Sequence, residues 1–110
     1  MSRTRYEWTL VDYAIWYAGA VSVPVYETSS AEQVQWILGD SGSVGCFVES
    51  ARNKAVYDEV GASLEHCAHV WVFDDGGIEA LKAAGAGVSD DDLEARRLSV
   101  TPDSLATIIY

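Results

Sequence analysis

Val44-Gly45-Cys46-Phe47-Val48-Glu49-Ser50 is the stretch on which the fold turns. Val44, Cys46 and Val48 alternate with Gly45 and Phe47, and the apolar run is bounded by Gly42 and Glu49, as a short buried strand requires. Ser50 then opens a segment in which Val56, Val60 and Leu64 recur at helical spacing, while Arg52, Asn53, Asp58, Glu59 and Glu65 fall largely elsewhere. A second apolar run, Val70-Trp71-Val72-Phe73, follows and is stopped by Asp74-Asp75-Gly76-Gly77. Strand, amphipathic helix, strand is a βαβ unit, which places two strands parallel in one sheet.

The pattern extends in both directions. Upstream, Leu10, Tyr13, Ala14 and Tyr17 predict a helix over 9–20, with Thr9 as N-cap, Asp12 near the positive end of the dipole and Gly19 at the stop. Trp8, Val11, Ile15, Trp16 and Ala18 cover its other side, so the helix is apolar all round. It is either a core element or a surface that another part of a longer protein covers, and the shortage of neighbours in this chain favours the second. Val21 to Tyr26 reads as a short strand, with Pro24 suggesting an edge or a strand end. Ser29 and Ser30 precede Glu32 and Gln33 at capping-box spacing, and Val34, Ile37 and Leu38 give a helix that Gly39 ends.

Downstream, Ile78, Leu81 and Ala84 predict a short helix closed by Gly85 or Gly87. Ser89 opens another, with Asp90, Asp91, Asp92 and Glu94 at its start and Arg96 and Arg97 at its end. Leu105 to Tyr110 has the character of a central parallel strand. The fold class is therefore α/β, a parallel sheet with helices on both faces, in one domain.

Composition agrees and excludes several functions. The 110 residues are 49% hydrophobic, too apolar for a disordered chain. Seventeen acids against seven bases give a net charge of -10, which opposes binding to nucleic acid or to an anionic membrane. No apolar run is long enough to span a bilayer, and a cytoplasmic location is the expectation. Cys46 and Cys67 are expected as structural thiols.

Each candidate site has a plainer reading beside it. Gly39, Gly42 and Gly45 follow a helix and enter a strand, the reverse of a phosphate-binding loop, so turn geometry explains them. Gly76-Gly77 has the right order but lacks the rest of a phosphate motif. His66, Cys67 and His69, with Cys46, could supply zinc ligands but show no paired spacing. A Cys/His nucleophilic couple fails because neighbours in an extended segment point to opposite faces. Asp74 and Asp75 end a strand where open α/β sheets bind ligands and could hold magnesium, but no Lys, Thr or third acid is placed to complete a phosphoryl-transfer pocket, so a solvated loop is the better account. Asp90-Asp91-Asp92 lacks the alternation and glycine of a calcium loop and suits a helix N-terminus. The residues themselves assign no catalytic, cofactor-binding or metal site.

A resemblance adds to this reading. Arg3-Thr4-Arg5-Tyr6-Glu7-Trp8, Asp12-Tyr13-Ala14-Ile15-Trp16-Tyr17-Ala18-Gly19-Ala20 and Val23-Pro24-Val25-Tyr26-Glu27-Thr28-Ser29-Ser30 closely resemble the N-terminal domain of long-chain-fatty-acid–CoA ligases, members of the AMP-binding, adenylate-forming family. Gln33 to Asp40, the Asp40-Ser41-Gly42 turn, Gly45 to Glu49 and Asp103 to Tyr110 continue the likeness, so that it covers nearly the whole chain.

The resemblance implies a parent enzyme that uses ATP and magnesium to convert a fatty acid to an acyl-adenylate and pyrophosphate, after which the thiol of coenzyme A displaces AMP. The family's Ser/Thr/Gly phosphate loop, aromatic-Gly-x-Thr-Glu motif, ribose-binding Asp and C-terminal Lys are not in this sequence. Residues 1–110 are thus expected to be an internal fragment of the N-terminal domain, ending just before the phosphate loop, inactive alone, and binding no cofactor itself. Its expected partner is the remainder of the enzyme, with self-association driven by the bare 9–20 helix and the 105–110 edge. The rival is a free-standing α/β binding or receiver-like module with an acidic pocket at Asp74 and Asp75.

Overall fold

The computed structural model describes residues 1–110. Five helices and two strands follow in the order α1 (Tyr6–Tyr17), α2 (Ala31–Asp40), β1 (Gly45–Val48), α3 (Ala51–Asp58), β2 (His69–Val72), α4 (Gly77–Ala84) and α5 (Asp90–Leu98). β1 and β2 are parallel, with Gly45, Cys46, Phe47 and Val48 opposite His69, Val70, Trp71 and Val72. This is the βαβ unit of an α/β fold, with α3 as the crossover.

The register sorts the sheet into two unlike faces, because successive side chains alternate. Cys46, Val48, Val70 and Val72 share one face, where they join Val34 and Leu38 of α2 and Tyr57 of α3 in the main core. Val34 and Val48 are the most completely buried side chains. On the other face Phe47 stacks on Trp71 with centroids 4.8 Å apart, His69 lies 5.7 Å from Trp71, and Phe73 lies 5.9 Å from Phe47.

Local signals are realised where they are strongest. Ser30 and Gln33 form the reciprocal capping box of α2. At α5, Ser89 Oγ accepts from the Asp92 amide at 3.1 Å, with three aspartates in the first turn and Arg96 and Arg97 in the last. α2 continues through Gly39, and the chain turns instead at Gly42, whose φ of 64° suits a residue without Cβ.

Four expectations are corrected. α1 begins at Tyr6, three residues before the predicted cap. Arg5 is its N-cap in extended conformation, Glu7 is its first-turn acid, and Thr9 lies inside the helix. Val21 to Tyr26 is not a strand but pairs at one residue: Ser22 bridges Thr107 in parallel sense, with Ser22 N–H bonded to the Ala106 carbonyl and Ile108 N–H to that of Ser22. Pro24 cannot extend this ladder.

Leu105 to Tyr110 is accordingly no central strand. Leu105 and Ile109 are 62% and 81% exposed, since no further strand flanks them. The 56/60/64 stripe does not form one helix either. α3 stops at Asp58, Gly61–Ser63 is a 3₁₀ turn, and the residues α3 buries are Asn53 and Tyr57. Polar contacts turn α3 that way: Asn53 Nδ2 donates to the Glu27 carbonyl at 3.0 Å, and the Tyr57 hydroxyl donates to the Cys67 carbonyl.

Candidate functional site

The carboxyl ends of β1 and β2 are the place to look for chemistry in a parallel sheet. Glu49 and Asp74 stand there, and their backbones meet: the Asp74 amide donates to the Glu49 carbonyl at 3.0 Å. Both carboxylates are taken up by the segment preceding α1. Glu49, buried at 5% exposure, accepts from Arg3 Nε at 2.9 Å, Arg3 Nη2 at 2.5 Å, the Arg3 amide at 2.8 Å and Ser2 Oγ at 3.3 Å. Hydrogen bonds from the Arg3 guanidinium, then from its amide, hold the Glu49 carboxyl at a pKa of about 2.

Arg5 completes the arrangement. It donates to Glu7 at 2.7 Å and to Asp74 at 2.7 Å, and its guanidinium lies 5.8 Å from the Phe73 ring centroid. The Glu7 carboxyl is correspondingly held below its ordinary range. Arg3 and Arg5, two apart in an extended stretch, thus strap residues 1–5 across the ends of both strands. Sequence reading missed this network because its pairs lie far apart along the chain. Its one local signal is a lone Glu closing the apolar run at Val48.

The predicted site residues do not assemble. Asp74 is tied to Arg5, and Asp75 is exposed on the 3₁₀ turn Phe73–Asp75, so the pair forms no acidic pocket. Cys67 is buried in the core, whereas His66 is exposed beside Glu65 and His69 is exposed against Trp71. Cys46 and Cys67 are both free thiols, and burial raises both pKa values. Asp90, Asp91 and Asp92 are exposed at the start of α5.

Gly39, Gly42 and Gly45 are spread over a helix, a turn and a strand. Gly76 adopts φ 70° as the left-handed residue that opens α4, whereas a Cβ on Gly77 would sit 2.6 Å from the Val72 carbonyl oxygen, so Gly77 allows the close packing of α4 on β2. No group of three or more His, Cys, Asp or Glu side chains converges as a metal site would require.

What the fold does contain is an apolar cavity of about 360 Å³ between α1 and the aromatic face of the sheet. Trp8, Val11 and Ile15 wall it on one side, Phe47, Trp71 and Phe73 on the other, and Leu81 of α4 closes an end. Its polar edge is Asp12, which accepts from Ser22 Oγ at 2.5 Å. That volume is within the range of small-ligand pockets, but few groups here could orient a polar substrate.

The AMP-binding enzyme family matches residues 1–110, the whole chain. The chain belongs to this family. It is 41% identical over 112 residues to the long-chain-fatty-acid–CoA ligase FadD15 of Mycobacterium bovis (strain ATCC BAA-935 / AF2122/97), and equally to FadD15 of Mycobacterium tuberculosis (strain ATCC 25618 / H37Rv). Each match takes in 99% of this chain and 19% of the relative, so the chain spans about a fifth of the length of these curated ligases. No solved structure matches it. No helix is long and apolar enough to cross a membrane.

Proposed function

We propose that residues 1–110 are a framework segment in the N-terminal domain of a long-chain-fatty-acid–CoA ligase, and that they carry none of its reacting groups. The observation that carries this reading is the 41% identity to two fatty-acid–CoA ligases along 99% of the chain. The parent enzyme would join a fatty acid to coenzyme A through an acyl-adenylate, using ATP and magnesium. Adenylation is chemically required because a carboxylate is a poor acyl donor and AMP is a good leaving group.

The segment's part in that reaction is mechanical. The βαβ unit fixes two parallel strands, the Arg3 and Arg5 pairs anchor the chain entering α1, and the Ser22 and Thr107 bridge aligns the stretch from Leu105 to Tyr110. That stretch would lead into the phosphate loop of the whole enzyme. We place the enzyme in the cytoplasm, where ATP and coenzyme A are available. The isolated segment, with its exposed α1 face and its 105–110 edge, would self-associate, and sedimentation showing a clean monomer at high concentration would count against this.

A chimera tests the assignment. The matched segment of the mycobacterial ligase FadD15 is replaced by this chain, and acyl-CoA formation from a long-chain fatty acid, ATP and coenzyme A is measured. Activity within about tenfold of the host, a loss of about 1.4 kcal/mol in transition-state stabilisation, is the expected result. A folded chimera without activity overturns the proposal.

A further inference from the structure

We infer that the outward face of α1 is an interior seam, covered in the whole enzyme by an uncharged helix from the part of the ligase outside this chain. The inference rests on the ligase reading above and names the partner surface within it. Tyr6, Thr9, Leu10, Tyr13, Ala14 and Tyr17 are the exposed positions of α1, and none carries a charge. The two acids of the helix sit elsewhere, at half-buried positions, and both are satisfied: Glu7 accepts from Arg5 at 2.7 Å, and Asp12 from Ser22 Oγ at 2.5 Å.

A helix that faces water does the opposite, presenting its charges outward and its apolar stripe inward. Here the inward side of α1 already lines the cavity, so the outward side is a second uncharged face in search of a neighbour. Tyr6, Leu10, Tyr13 and Tyr17 follow at intervals of four, three and four residues, the row that interlocks with another helix. Tyr6 and Tyr13 are 76% and 65% exposed, while Tyr17, 51% exposed, has the Arg97 guanidinium of α5 5.9 Å from its ring centroid, so α5 covers only that end of the row. The cover must therefore offer apolar contact along the row and acceptors for three hydroxyls.

α2 provides the contrast. Its exposed Trp36 is flanked one turn away on either side by Glu32 and Asp40, both exposed, which is how a solvent face reads. In the whole enzyme a second copy of this chain is a weaker cover for α1 than the enzyme's own remainder, because each copy carries a net charge of -10, a repulsion that pairing of the isolated segment has to overcome. The remainder of the ligase is the natural source, since the segment matched here is only 19% of the relatives' length.

The test places Thr9→Cys, Tyr13→Cys and Trp36→Cys one at a time in the chimeric ligase. Maleimide labelling of each cysteine-bearing peptide is followed by mass spectrometry in native buffer and in urea. The expected protection is about tenfold or more at positions 9 and 13 and about threefold or less at position 36. An active chimera in which Thr9→Cys labels as fast as Trp36→Cys overturns the seam, and Thr9→Cys keeps that test valid if loss of the Tyr13 ring unfolds the protein. Protection at positions 9 and 13 that disappears on dilution makes a second copy the cover and also overturns it. An inactive chimera that still protects positions 9 and 13 supports the seam while counting against the ligase reading.

Discussion

Replacing Glu49 by Gln should remove the pH-dependent part of the stability that its carboxylate supplies. Glu49 is almost wholly buried and accepts four hydrogen bonds from Arg3 and Ser2. Its carboxyl falls from 4.5 to a pKa of about 2, which at full value corresponds to about 3 kcal/mol favouring the folded state. Arg3, however, is 72% exposed, so solvent screens its share, and about 1–2 kcal/mol is the working figure.

Because the folded pKa is depressed, this contribution is complete above about 4.5 and is lost as pH falls toward about 2. Urea unfolding monitored by tryptophan fluorescence, at intervals from pH 7 to pH 2, measures it. The wild type should exceed Glu49→Gln by about 1–2 kcal/mol at neutral pH, and the two should converge toward pH 2. Taking the difference between the proteins removes the titration of the other carboxylates. A gap that stays constant across the range would mean that the substitution acts through packing, and would refute the ionic account.

Four further changes follow from the same geometry. Gly77→Ala drives a Cβ to within 2.6–2.8 Å of the Val72 backbone and should cost more than about 3 kcal/mol. Gly76→Ala meets open space at φ 70° and should cost about 1–2 kcal/mol, so equal losses in thermal unfolding would contradict this assignment. Tyr57→Phe leaves the buried Cys67 carbonyl without its donor and should cost about 1–3 kcal/mol. Burial raises the Tyr57 hydroxyl to a pKa of about 12, so its stabilisation is complete below pH 10 and declines toward 12. Absorbance titration should lose that late-ionising tyrosine in the variant. Val48→Ala, at a fully buried site, should cost about 2–3 kcal/mol, and a loss well under 1 kcal/mol would argue against the core as described.

The elements that could be read from sequence are those written in adjacent residues. The Ser30 and Gln33 box, the alternation of Cys46 and Val48, and the aspartates after Ser89 each carry their cause within a turn or two. The start of α1 could not be read that way, because Arg5 is an unlikely cap whose extended backbone is fixed by Glu7 and by distant Asp74. Strand character at Val21 to Tyr26 and Leu105 to Tyr110 was equally out of reach. An apolar run states that it is buried but not whether a partner strand is at hand, and only Ser22 and Thr107 pair.

The same limit applies to the candidate site. His66, Cys67 and His69 are close in sequence, yet Cys67 turns its thiol into the core from the irregular stretch before β2, whereas His69 opens the strand on the Trp71 face and His66 stays exposed. Conversely, Glu49 with Arg3 and Asp74 with Arg5 are separated by 46 and 69 positions, and only the parallel pairing of β1 and β2 brings them side by side.

The central claim is that this chain is framework within a fatty-acid–CoA ligase and not its catalyst. Fatty-acid-dependent ATP–pyrophosphate exchange, measured side by side on the isolated chain and on the chimeric ligase, tests it most directly. The expected result is exchange by the chimera and none above background by the chain, even at high concentration. Sustained exchange by the 110-residue chain itself would contradict the account.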